Sequence, residues 1–63
     1  MTQERLLRLP EVIRTTGLSR SSIYRHMQAG EFPSAVKVSA HASAWAQSEI
    51  QDWISARMAQ RQR

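Results

Sequence analysis

The sequence predicts a mainly α-helical fold with a small β-hairpin, three helices plus a two-stranded wing, on three observations. Two short apolar-patterned segments flank Gly17-Leu18-Ser19. A Val-Lys-Val run follows the break at Phe32-Pro33-Ser34. Ile50, Trp53, Ile54, Arg57 and Met58 then recur at spacings of three and four, as one largely apolar face of a helix requires. No repeat, low-complexity tract or linker divides the chain. Residues 1–63 read as one domain, with an ordered core over about 6–58.

Met1 to Arg8 reads as an extended polar lead-in, with Leu6 and Leu7 partly packed on the core. Pro10 suits the first turn of a helix, where its missing N–H would have no partner, and Glu11 complements the helix dipole there. This helix is expected over Pro10 to Thr16, turning Leu9, Val12, Ile13 and Thr16 inward and stopping at Gly17. A glycine there accepts a positive φ, so that two helices can meet at a steep angle with Leu18 in the corner. Ser19 caps the second helix, expected from Arg20 to Ala29, with Ile23 and Met27 as its buried stripe and Gly30 as its stop. Ala35 to Val38 has strand character, with Val36 and Val38 on one face and Lys37 pointing out. Ser39-Ala40-His41-Ala42 is the hairpin tip and Ser43-Ala44-Trp45 the returning strand. Ser48 and Gln51 match a capping box for the last helix, whose first turn is acidic and whose end carries Arg57.

Composition narrows the function classes. A chain of 63 residues buries only about 60% of its unfolded surface, which leaves no room for a catalytic cleft beside the core. With no cysteine, disulfides and thiolate metal sites are excluded. His26 and His41 lack a metal-ligand spacing, and His26 reads as a core-edge residue. Neither a nucleophile elbow nor a paired-carboxylate pattern occurs, so no enzyme, cofactor or metal site is expected. No apolar run approaches a membrane span and no signal pattern opens the chain, so a cytoplasmic, nucleoid-associated protein is expected.

Nine basic residues against five acidic ones give a net charge of +4, and eight of the nine are arginine. Arginine's planar fork suits phosphate and guanine better than a lysine point charge does. The second helix concentrates the chemistry. Arg20, Ser21, Ser22, Tyr24 and Arg25 dress its exposed face with hydrogen-bond donors, and no carboxylate accompanies them. In a helix-turn-helix this is the helix that enters the major groove, so double-stranded DNA is the expected partner. The plainer alternative has the serines cap the helix and the arginines solvate it. For the serines both readings hold at once. Lys37 and His41 are the wing's candidate DNA contacts, for the backbone or an adjacent minor groove. Trp45 and Trp53 read as core rather than base-stacking platforms. Arg57, Arg61 and Arg63 either track phosphates or simply solubilise.

Several separate motifs now agree in order and spacing. Leu7-Arg8-Leu9-Pro10-Glu11-Val12, Thr16 through Arg25, Gly30-Glu31-Phe32-Pro33, and Trp45 with Ser48-Glu49-Ile50 and Trp53 resemble the AlpA family of phage regulators. The resemblance covers about Leu6 to Arg57. It implies a MerR-like winged helix-turn-helix related to small excisionases, with Arg20, Ser21, Ser22, Tyr24 and Arg25 on the recognition helix. The wing departs from the family pattern. Relatives usually carry a Gly-Gly-Arg-like tip and a basic residue after the tryptophan, where this chain has Ser39-Ala40-His41 and Ala46.

The expected function is a sequence-specific, double-stranded DNA-binding transcriptional regulator of the phage or prophage type. It would be a monomer or weak oligomer that binds cooperatively, because so small a footprint gives little specificity alone. Two alternatives stay open. One is an excisionase-like directionality factor that bends DNA for an integrase. The other is a protein-interaction module. Integrase or RNA polymerase is the protein partner these roles would call for.

Overall fold

The computed structural model describes residues 3–61. Met1, Thr2 and Arg63, to which the sequence reading assigned the start of the lead-in and one terminal arginine, lie outside the described residues. The elements follow in the order β1 (Leu6–Leu7), α1 (Leu9–Thr16), α2 (Arg20–Gln28), β2 (Val36–Ser39), β3 (Ala42–Ala46) and α3 (Gln47–Ala59). This is the three-helix, hairpin-bearing arrangement of a winged helix-turn-helix. It carries one addition: the lead-in pairs through β1 with β3, making a three-stranded antiparallel sheet in the order β1-β3-β2. Leu6 faces Ala46 and Leu7 faces Trp45 in that register. The Gln47 N–H donates to the Arg5 carbonyl at 2.8 Å and carries the pairing into α3.

Local chemistry sets the helix ends. Thr16 donates its hydroxyl to the Val12 carbonyl at 2.7 Å and accepts the Leu18 N–H at 3.2 Å. Gly17 takes φ 77° and donates to the Ile13 carbonyl at 2.9 Å. The turn between α1 and α2 is therefore closed by one side chain and one left-handed residue. Ser19 caps α2 by accepting the Ser22 N–H at 3.2 Å. At the other end, Gly30 has φ 74° and donates to Met27, while Glu31 donates to His26 at 2.8 Å. Those two bonds make a Schellman motif.

The core is small and continuous. Leu7, Val12, Ile23, Phe32, Trp45 and Ile50 form its buried cluster, with Leu9, Ile13, Leu18, Met27, Trp53 and Ile54 packed around it. Each indole N–H finds a carbonyl in the α2–β2 connection. Trp45 donates to Pro33 at 3.1 Å and Trp53 to Glu31 at 2.8 Å. Phe32 lies between them in sequence and meets Trp53 edge-on at a ring separation of 5.0 Å.

Three expectations need correction. First, α3 begins at Gln47 with Ala46 as its N-cap, so Ser48 sits inside the first turn and is no cap. The strand β3 runs straight into the helix, and the cap is supplied from far away by Glu4, whose carboxylate accepts the Ser48 N–H at 3.1 Å and the Ser48 hydroxyl at 2.5 Å. Second, Val36 and Val38 do not form a buried face: they are 43% and 44% exposed, on a strand exposed along its whole length. β2 is an edge strand, and a bulge between Lys37 and Ser39 breaks its alternation. Third, Met58 is 54% exposed and lies off the buried part of the α3 stripe.

Candidate nucleic-acid interface

The first turn of α2 is organised by Ser19. Its hydroxyl accepts the Ser22 N–H and donates to the Ser22 Oγ at 3.0 Å, with the Ser21 Oγ 3.4 Å away. Ser22 Oγ in turn accepts from the Arg25 guanidinium at 3.2 Å. Ser22 is half-buried and thus serves the cap and steadies Arg25, while Arg20, Ser21, Tyr24 and Arg25 are exposed. No acidic residue occupies this first turn. The exposed face of α2 therefore offers two guanidinium groups, a phenol and a hydroxyl, with the N-terminal dipole behind them.

Folding brings part of this face against the wing. Arg20 and Tyr24 line a cleft of about 230 Å³ together with His41 and Ser43 from the hairpin and Arg8 from the start of α1; Trp45 closes it from the core side. His41 reaches it because Ala40-His41 is the two-residue tip between β2 and β3. Of the predicted contacts, Arg20, Tyr24 and His41 converge here. Ser21, Ser22 and Arg25 stay on α2 outside the cleft lining. Lys37 is also outside it, exposed on β2 opposite Ser43.

The C-terminal arginines lie elsewhere. The Arg57 guanidinium stacks over the Trp53 ring at 4.9 Å and lines a separate groove with Thr15, Leu18 and His26. Arg61 is exposed just past α3. His26 is half-buried with its Nδ1 3.5 Å from the Glu31 carboxylate, at the edge of the core where the sequence placed it. Arg8 is the cleft residue that the sequence reading missed. It read as lead-in, and only the fold carries the wing tip to it. No helix among the described residues is long and apolar enough to cross a membrane.

Residues 5–58 match the family described as Prophage CP4-57 regulatory protein (AlpA). The chain belongs to the AlpA family. It is 48% identical over 63 residues to the protein ORF88 of Enterobacteria phage P4, covering all of this chain and 72% of that protein. It is also 34% identical over 59 residues to the DNA-binding transcriptional activator AlpA of Escherichia coli strain K12, covering 84% of each. The AlpA match takes in β1, both helices of the turn, the wing and nearly all of α3.

Proposed function

We propose that this AlpA-family chain is a non-enzymatic transcriptional regulator that binds double-stranded DNA with sequence preference. α2 acts as its recognition helix. The observation that carries the reading is the exposed, carboxylate-free face of Arg20, Ser21, Tyr24 and Arg25, set beside a wing whose tip meets the same cleft. Arg25 is the candidate for bidentate contact with guanine, worth about 1–3 kcal/mol of discrimination, while Arg20 meets the backbone. Ser22 orients Arg25, and Tyr24 and His41 meet the backbone beside the groove. Lys37 adds phosphate affinity from the outer edge of the wing.

A module this small covers a short site, so specificity comes from cooperative occupation of neighbouring sites or from a protein partner such as RNA polymerase. An excision factor working with an integrase would use the same interface, and its target would be an attachment site instead of a promoter. Selection of bound sequences from a random duplex pool, repeated over a salt series, tests the reading. The expected result is an enriched motif that the Arg20→Ala/Arg25→Ala variant fails to enrich. Binding that enriches nothing and vanishes with salt would reduce the reading to non-specific electrostatics.

A further inference from the structure

We infer that the cleft between α1, α2 and the wing tip seats one phosphodiester of the DNA backbone, and that Arg8 is a DNA-binding residue. This rests on the DNA-binding reading above.

The argument starts from charge. Arg8 and Arg20 come from different elements and line one predominantly polar cleft, and no carboxylate lines it. Neither arginine has an ion-pair partner among the described residues. Two arginines lining one concavity with no carboxylate in its lining raise its potential, and an anion entering it relieves their repulsion. Tyr24 and His41 bring further polar groups to the same space from α2 and from the wing.

Glu11, which follows the cleft-lining Pro10, is already engaged. Glu11 accepts the Arg8 N–H at 3.4 Å with one oxygen and the Arg5 guanidinium at 3.3 Å with the other. That arrangement holds the Arg8 backbone extended, at φ −80° and ψ 165°, beside the cleft that Arg8 lines. Arginine matches a phosphate with two parallel donors, so a pair of them around one group is a strong, geometrically selective seat.

The position of the seat gives it a role distinct from reading bases. It joins the N-terminus of α1, the recognition helix and the wing tip. A phosphate held there sets how far α2 enters the groove while carrying no sequence information itself. The effect of losing Arg8 is accordingly uniform across sequences.

The test is a titration of a mixed-sequence duplex of about 24 base pairs by fluorescence anisotropy, over roughly 50 to 200 mM salt. It compares the wild type with Arg8→Ala, Arg8→Lys and Arg14→Ala. Arg14 is exposed on α1 and absent from the cleft lining, so its variant controls for net charge. Circular dichroism verifies that each variant is folded. Arg8→Ala should bind about tenfold more weakly, with a salt slope shallower by about one. Arg8→Lys should recover part of the affinity, and Arg14→Ala should track the wild type. Wild-type affinity and slope in a folded Arg8→Ala protein would overturn the inference. So would an equal loss in Arg14→Ala, which would make the effect one of net charge. Failure of the wild type to bind any duplex would overturn the DNA-binding reading as well, and is thereby distinguished from failure of the Arg8 assignment alone.

Discussion

Glu4 caps α3 through Ser48, across a sequence separation of 44 residues. Its carboxylate accepts both the N–H and the hydroxyl of that residue, and these bonds hold the Glu4 carboxyl below its ordinary pKa of 4.5. A carboxylate with a depressed folded-state pKa adds stability above its unfolded value and loses it as the pH falls through the folded one. The melting temperature of the wild type should therefore exceed that of Glu4→Gln at neutral pH. The gap should close as the pH is taken well below 4.5, as thermal melts at pH 7 and in acid will measure.

Gly17 and Ser19 offer a test of the turn. An added Cβ at Gly17 meets nothing within 4 Å, so Gly17→Ala is penalised by its left-handed backbone alone, at φ 77°. The expected cost is about 1–2 kcal/mol. Ser19→Ala removes the acceptor for the Ser22 N–H and should cost about 1 kcal/mol. Urea unfolding of the two single variants checks both figures.

Trp45 is 1% exposed, and its indole N–H is spent on the Pro33 carbonyl. Trp45→Phe shrinks the core and deletes that donor together, so about 2–4 kcal/mol of destabilisation is expected. In a domain of this size such a loss is a large fraction of total stability. Calorimetry or denaturant titration reads it directly.

Arg20 and Arg25 differ in how they are held. Arg25 is steadied by Ser22 Oγ at 3.2 Å, whereas Arg20 reaches the cleft with Arg8 and His41. If α2 reads the groove, Arg25→Ala should relax sequence preference at one base position by about 1–3 kcal/mol. Ser22→Ala should reproduce part of that loss by freeing Arg25. Binding measured against a set of single-base variants of the selected site separates this from a uniform drop in affinity.

What the sequence made legible was local. Gly17, Ser19 and Gly30 announce helix ends because their bonds reach only a few residues along the chain. The pairing of Leu6–Leu7 with β3 was not legible, since a two-residue strand has no periodicity and its partner lies at the other end of the domain. Ser48 carried the local pattern of a cap, yet Glu4 overrode it from a distance. In the candidate site, Arg20, Tyr24 and His41 were legible by residue type and position. Arg8 was not, because its significance comes from the residues that folding gathers around it.

The two indole N–H groups that grip the Glu31 and Pro33 carbonyls have a consequence for recognition. They rivet the α2–β2 connection to α3 on one side and to the base of the wing on the other. Helix and hairpin are thus joined through one hydrogen-bonded connection, like the jaws of a preformed caliper. The conformational entropy of that connection is surrendered when the chain folds. Little remains to be lost when a ligand enters between the jaws, and rigidity stands in for the contact area that so short a chain lacks.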